Sequence, residues 1–335
     1  MATQALALAT GGTDSLLAIH LAREQGVKVR ALRFTTLFAC GHPRDPVQDL
    51  EAVGVPLETY GLEEDQARMC RRRRAVLDRR KIHPCLECHL MMLSRAAERG
   101  DDPGQIVITG EVVGQRRETQ RKRDLLFLAR KSRLEHRLVR PLSARLLPET
   151  RAEADGLLDR SRLLGLSTSR RAEQHRLAAE RGLPRIEART SGCRLLDAGY
   201  VARLDELLAH DPDARRDDIE LLSIGRHHRM PDGAKLIVAR DGGEGARLVA
   251  MFERRAINFR GTIETAIIEP IDFKGPTAML VPMRSRAAAD AAAGLVAGLA
   301  KIDSRAAAHV GVRTRGDAFV TLASPCDVAT LAKLV

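Results

Sequence analysis

The chain has 335 residues, 44% of them hydrophobic and 30% charged, which excludes an intrinsically disordered chain and leaves room for two domains with cores of their own. Lysine and arginine outnumber aspartate and glutamate by 55 to 44, a formal charge of +11 that favours a polyanionic partner. The opening shows no signal-peptide pattern and no apolar stretch reaches membrane-spanning length, so a cytoplasmic protein without membrane association is expected.

In chain order, residues 5–9 form a short apolar run that meets the polar turn Thr10-Gly11-Gly12-Thr13-Asp14-Ser15. A helical pattern follows at Leu16, Leu17, Ile19 and Leu21, and a second apolar run begins at Val27. Strand, turn, helix, strand is the opening of a parallel α/β domain. Two glycines in such a turn let the backbone approach a phosphate, which successive N–H groups and the helix dipole then hold. The turn has neither the length and lysine of a Walker loop nor the G-x-G-x-x-G pattern. A plain glycine turn joining strand to helix is the bland alternative.

The alternation continues. Further strands are predicted at 28–35, 55–60, 105–109 and 136–140, and helices at 64–80, 88–99, 119–131, 149–158 and 170–181. Strands separated by helices imply a parallel sheet whose ligands sit at the carboxyl ends of the strands. The charged stretch 210–218 reads as a linker. It divides the chain into domains 1–209 and 217–335. Beyond it, short strands at 218–224, 234–239, 265–269 and 277–282 precede an alanine-rich helix at 285–301. Strands at 308–313 and 317–322 precede a last helix at 325–335. That second domain is a smaller α+β module.

Six cysteines in a chain of this size read as thiols, catalysts or metal ligands rather than a disulfide framework. Cys85 and Cys88 form a C-x-x-C at a helix start, where the dipole lowers a thiol pKa and favours the thiolate. The pair alone is compatible with redox, zinc or cluster chemistry; His83 and His89 could complete a strained zinc site, and no second C-x-x-C exists. Cys193, in Thr190-Ser191-Gly192-Cys193, reads as a third reactive thiol or as a small buried residue. Three converging cysteines permit a persulfide relay, in which one thiolate carries sulfur and another resolves the disulfide, or an iron–sulfur cluster with an open iron. Cys40, Cys70 and Cys326 are expected to be structural.

The turn at Thr10 to Ser15 resembles the pyrophosphate-binding S-G-G-x-D-S loop of ATP pyrophosphatases, with threonine in the first place. Thr109-Gly110-Glu111, Gly114-Gln115, Gln120 and Arg140-Pro141-Leu142 resemble the adenylating domain of the tRNA 4-thiouridine synthase. H-P-C-L-E-C-H and T-S-G-C are similar to the two cysteine motifs of tRNA-specific 2-thiouridylases. Together these cover about residues 1–200. The resemblance implies a PP-loop, Rossmann-like domain of the adenine nucleotide alpha-hydrolase type that uses ATP and Mg²⁺ to adenylate a uridine carbonyl in tRNA, after which sulfur displaces AMP. Thr10, Gly11, Gly12, Thr13, Asp14 and Ser15 would hold the pyrophosphate, with Asp14 assisting Mg²⁺. Phe34, just past the second strand, would lie beside the adenine, and Gly110 and Gln115 would complete the pocket. Cys85 and Cys193 would handle sulfur from a donor, a cysteine desulfurase persulfide or sulfide, and Cys88 would be the third ligand of a [4Fe-4S] cluster.

Departures from the pattern are specific. Nothing before Ala5 corresponds to the RNA-binding domains of the 4-thiouridine synthase, no rhodanese-like segment follows, and Leu146-Leu147 stand where that family carries an acidic-basic pair. The target uridine and the donor therefore stay open. In the second domain, Ile224 to Arg229 with 234–240 and 273–277 resembles the RNA-binding domain of NFACT-type proteins. Arg226, Arg229 and Lys274 would contact phosphates, and His227 or His228 would stack on an unpaired base. A solvated basic hairpin is the alternative there, and a solvated helix face is the alternative for the basic runs at 71–74 and 79–81. Two rivals stay open: an adenylating enzyme acting on a small molecule, and an RNA-binding or ribosome-associated protein with a vestigial ATP site.

Overall fold

Apolar runs that recur between helical stretches pair here as a five-stranded, wholly parallel sheet. Its strands are β1 (Gln4–Leu8), β2 (Lys28–Thr35), β3 (Leu57–Gly61), β4 (Ile106–Thr109) and β5 (Leu138–Val139), in the order β3-β2-β1-β4-β5. The computed structural model describes residues 4–9, 11–39, 50, 53–72, 84–99, 105–167, 171–184, 193–258, 264–302, 308–326 and 332–334. The chain divides into two units: Met1–Cys70 with Ala75–Arg194, and Arg71–Arg74 with Leu195–Val335.

Helices of the first unit are α1 (Thr13–Arg23), α2 (Glu63–Arg72), α3 (Pro84–Arg99), α4 (Lys122–Lys131), the short α5 (Arg151–Ala154) and α6 (Ala172–Glu180). They cover both faces of the sheet, so its inner strands β1 and β4 are apolar on both sides, with successive side chains divided between the faces, while the edge strand β3 is largely exposed. Ala5, Ala7, Val29, Ala31, Ile106 and Ile108 pack in one core with Leu17 and Leu21 of α1 and Leu177 of α6. Leu6, Leu32 and Val107 pack on the other side with Leu93 of α3 and Leu128 of α4. On α3 the stripe Leu86, Leu90, Leu93 and Ala97 recurs at helical spacing and meets this second core.

The expected strands 28–35, 55–60 and 105–109 fall within two residues of β2, β3 and β4. The strand expected at 136–140 is only two residues long, and the helix expected at 149–158 is one turn. Helix α3 starts at Pro84 rather than 88, because a first-turn proline gives up no helical hydrogen bond. Only the part of the 64–80 helix within α2 lies in the described residues.

The second unit is a seven-stranded antiparallel sheet in the order β11-β10-β8-β9-β7-β6-β12. Its strands are β6 (Arg226–Arg229), β7 (Lys235–Val238), β8 (Ala266–Pro270), β9 (Ala278–Val281), β10 (Ala308–Arg313), β11 (Ala318–Ala323) and β12 (Ala332–Leu334). Its helices are α7 (Ala198–His210), α8 (Arg216–Leu221), α9 (Gly242–Asn258) and α10 (Arg286–Leu299). Leu236, Val238, Ile268 and Leu280 face the alanine-rich α10, whereas Ile237, Ile267 and Met279 face Leu248, Met251 and Phe252 of α9.

Three expectations are corrected here. The first unit ends at Arg194 rather than 209, because α7 belongs to the second. Residues 216–221 form a helix rather than a strand: the Asp218 carboxylate accepts the Arg215 N–H at 2.9 Å and holds its first turn, while Ile219 and Leu221 are buried. Residues 332–334 form a strand antiparallel to β6, not the end of a last helix. Gly294 and Gly298 of α10 let the chain after β11 cross close by, since a Cβ at Gly294 would lie 2.8 Å from the Ser324 carbonyl oxygen.

Gly225 turns the chain into β6 at φ +72°, and a Cβ there would sit 2.5 Å from the Val238 carbonyl oxygen. Gly225→Ala is therefore expected to destabilise the second unit by about 2–4 kcal/mol, from left-handed strain plus overlap. Gly233→Ala, at φ +84° with nothing within 4 Å, carries the strain alone and is expected to cost about 1 kcal/mol. Chemical denaturation of the two variants checks the contrast, and equal losses would refute it.

Candidate functional site

In an open parallel sheet, ligands bind beyond the carboxyl ends of the strands where the winding reverses. Here that point lies between β1 and β4. Gly11 adopts φ +75°, and Gly12 caps α1 from an extended conformation with no side-chain cap. Ser15 donates its hydroxyl to the Gly12 carbonyl at 2.8 Å, which closes the turn on itself. Across the reversal, Gly110 follows β4 so closely that a Cβ on it would lie 2.6 Å from the Asp14 carbonyl carbon and oxygen. Only glycine fits.

Asp14 is the focus of the polar contacts. Gln115 donates to Asp14 Oδ2 at 2.7 Å, and the fully buried Gln174 of α6 donates to Gln115 Oε1 at 3.1 Å. Arg171 Nε stands 3.7 Å from Asp14 Oδ2. Two buried acceptors, Asp14 Oδ1 and Gln174 Oε1, have no hydrogen-bond partner. An orphaned carboxylate oxygen beside an uncapped helix start fits a Mg²⁺-bound triphosphate, the metal taking oxygen ligands and the amides taking phosphate. Thr13 and Ser15 are buried in this turn; Thr10 lies outside the described residues. Phe34 is inside β2 rather than past its end, and its ring packs edge-on to Tyr60 at 6.1 Å. The correction is to its position in the strand: Phe34 is the second-last residue of β2, half-buried near the carboxyl end of the sheet.

The cysteines approach the same end of the sheet. Gln66 of α2 is fully buried; its carbonyl accepts the Leu37 N–H at 2.8 Å and its amide donates to Cys88 Sγ at 3.2 Å. Leu37 lies just past β2. Cys193 is held there too: it bridges Ala39, and the Arg194 N–H donates to the Phe38 carbonyl at 2.9 Å. Cys88 lies within electrostatic reach of both Cys85 and Cys193. Burial, however, pushes the Cys88 thiol up to about 12 and also raises Cys85, the latter against the lowering charge of Arg116. Both thiols are protonated at neutral pH, which corrects the thiolate expected from the helix dipole. Among the described residues no group of three or more His, Cys, Asp or Glu side chains is gathered to hold a metal ion. Cys70 is buried in the core, Cys326 is exposed, and Cys40 and His83 lie outside the described residues.

His89, which could only have completed a strained zinc site, belongs to a different set of contacts. Its Nδ1 is 3.2 Å from Glu111 Oε1, and Glu111 Oε2 accepts from Arg140 Nε at 2.8 Å and from Thr109 at 3.0 Å. Burial raises the Glu111 carboxyl, but the Arg140 charge and the His89 contact outweigh it and hold the group at about 2. The end of β4 is thereby fastened to the cysteine helix.

The second unit's expected RNA contacts divide. Arg226 and Lys274 are exposed. His227 and His228 are 1% and 4% exposed, so neither ring can stack on a base. Burial, then the nearby Lys235 charge, lowers His227 to about 3, so it is neutral, with Nε2 3.0 Å from the Ile224 carbonyl. Arg229 is tied to Glu206, which also pairs with Lys235 at 2.9 Å. It is a structural ion pair rather than a phosphate contact.

Sequence reasoning missed Gln66, Arg140's partner, Gln174 and Arg171. Gln66 had a signal, a polar residue four after Leu62 and three before Met69, where the stripe of α2 demands an apolar one. Arg171 had none.

No protein-family model and no curated protein matches the chain. Among solved structures it is similar to a predicted subunit of tRNA methyltransferase from Methanocaldococcus jannaschii, at 15% identity over 56% of this chain and 94% of that one, with a TM-score of 0.32. It is also similar to the C-terminal part of the fibronectin/fibrinogen-binding protein from Streptococcus suis, at 11% identity over 79% of this chain and 96% of that one, with a TM-score of 0.24. Likenesses this slight carry no assignment, and the fold rests on the sheet order above.

Because the folded carboxyl of Glu111 titrates below its ordinary 4.5, at about 2, its stabilisation is complete above pH 4.5 and is lost as pH falls towards 2. The shift corresponds to on the order of 3 kcal/mol. Glu111→Gln is expected to lower stability at pH 7 and to flatten its decline between pH 5 and 2. Urea denaturation across that range checks it; an unchanged acid slope would contradict it.

Proposed function

We propose that the chain is an ATP-dependent tRNA-thiolating enzyme that adenylates a uridine carbonyl and transfers sulfur through cysteines. The observation that carries the reading is the meeting of Gly110 with the Asp14 backbone at the sheet's reversal, on the end of the sheet to which Cys88 and Cys193 are also anchored. The turn from Gly11 to Ser15 supplies amides for the β- and γ-phosphates, and Asp14, steadied by Gln115, supplies an oxygen for Mg²⁺. The uracil oxygen attacks the α-phosphorus, and the bond to the bridging oxygen breaks with release of pyrophosphate. Adenylation turns a poor leaving group, oxide, into AMP.

Sulfur chemistry follows a persulfide relay. The Cys85 sulfur attacks the outer sulfur of a donor persulfide; an S–S bond forms, and the donor thiolate leaves with the proton Cys85 gives up. The terminal sulfur then attacks the activated uracil carbon and AMP departs. Cys193 attacks the Cys85 sulfur, which forms a Cys85–Cys193 disulfide and releases the thiocarbonyl. A dithiol reductant restores both thiols. Arg226 and Lys274 remain as exposed cations for the RNA backbone.

Asp14→Ala is expected to abolish tRNA-dependent pyrophosphate release, and unchanged turnover would reject the adenylation reading. Nucleoside analysis of tRNA from a deletion strain should show one thiolated uridine missing; a complete set would favour the small-molecule or non-catalytic rivals. For the second unit, Arg226→Ala with Lys274→Ala is expected to weaken RNA binding and to reduce the salt slope by about two. Arg229→Ala should instead lower thermal stability by breaking the Glu206 pair. RNA affinity indifferent to Arg226 and Lys274 would remove that surface from the function.

A further inference from the structure

Arg171 caps the start of α6 and belongs to none of the motifs described above. Its side chain is 23% exposed, and its Nε lies 3.7 Å from Asp14 Oδ2, too long for a hydrogen bond. The oxygen it faces is already taken by Gln115 at 2.7 Å. The guanidinium is thus held at the nucleotide turn by charge, with its donor fork uncommitted to the carboxylate. Gln174, three residues on, is fully buried and reaches the same turn through Gln115. This contact fastens the first turn of α6 to the loop and fixes where Arg171 stands.

We propose that Arg171 binds the leaving pyrophosphate. The proposal rests on the adenylation reading above and extends it to a residue outside the loop. As the bond between the α-phosphorus and the bridging oxygen breaks, negative charge grows on the pyrophosphate. A guanidinium can take two phosphate oxygens at once and needs no proton transfer to do so. The two ends of the ligand are served separately. The unpartnered oxygens Asp14 Oδ1 and Gln174 Oε1 suit the metal, and Arg171 suits the phosphate. In the resting protein the carboxylate keeps the guanidinium in place. Asp14 would hold Mg²⁺ through its carboxylate, and with that charge met, Arg171 would be free to turn to the pyrophosphate.

The test is calorimetric binding of inorganic pyrophosphate, with Mg²⁺ at fixed ionic strength, to the full chain. Orthophosphate serves as the comparison. Wild type is expected to prefer pyrophosphate. Arg171→Met should weaken that binding by about tenfold or more, and Arg171→Lys should recover part of it, since charge returns without the fork. Orthophosphate binding should change much less. Equal pyrophosphate affinity in wild type and Arg171→Met overturns this inference and leaves the adenylation reading standing. Wild type that binds no pyrophosphate overturns both. An equal loss for the methionine and lysine variants would make Arg171 a packing residue and also overturn it.

Discussion

Gly110 and the Asp14 peptide share a space that admits no side chain, and the first unit is arranged around that contact. Strand β4 ends at Thr109, so the next two residues must both clear the start of α1 and turn back into the sheet's upper rim. With glycine at 110, the backbone passes within 2.6 Å of where a Cβ would collide. Glu111 then enters the interior and Gln115 returns to Asp14. A larger residue at 110 would push β4 from β1 and pull apart everything attached to it. The amides of the loop and the carboxylate beside them are thus registered to the end of β4 by a steric limit rather than by a strong bond.

The second constraint is electrostatic. A carboxylate inside a core is costly unless charge and donors surround it. Glu111 has Arg140 on one oxygen, Thr109 on the same oxygen and His89 on the other. Arg140 is itself 2% exposed and spends a second donor on the Leu125 carbonyl at 3.1 Å. Removing any one partner leaves a buried charge short of compensation. The network therefore specifies a single placement of α3 over the strand ends. The apolar stripe of that helix, which would tolerate small slides, supplies area without fixing position.

What could be read from sequence follows the distinction between local and distant causes. Strands β1 and β4, at the middle of the parallel sheet, are short apolar runs buried on both faces and so announce themselves, whereas the edge strand β3 is largely exposed. The glycine turn before α1 is equally plain, because two adjacent glycines between an apolar run and a helical pattern mark where strand gives way to helix. Residues 218–224 misled because Ile219, Leu221, Leu222 and Ile224 suit a strand as well as a short helix; the Asp218 cap decided between them. Helix α9 was missed behind three glycines, although Leu248, Met251, Phe252 and Arg255 recur at its period. His227 and His228 looked like surface residues beside two arginines. They are buried on opposite faces of β6, an interior strand that pairs with β7 and with β12, the latter over a hundred residues distant in sequence. The thiol pKa values failed for a related reason: a helix dipole is visible in sequence, and burial is not.

Strand β12 also sets a schedule for synthesis. It completes the edge of β6, yet the two lie over a hundred residues apart, and the chain reaches it only after crossing α10 from the opposite edge of the sheet. While the ribosome is still translating that stretch, β6 presents one bare row of amides and carbonyls. The parallel unit ahead of it has by then emerged entire. The first unit can fold while translation continues, whereas the sheet of the second is complete only once residues 332–334 are available to pair with β6.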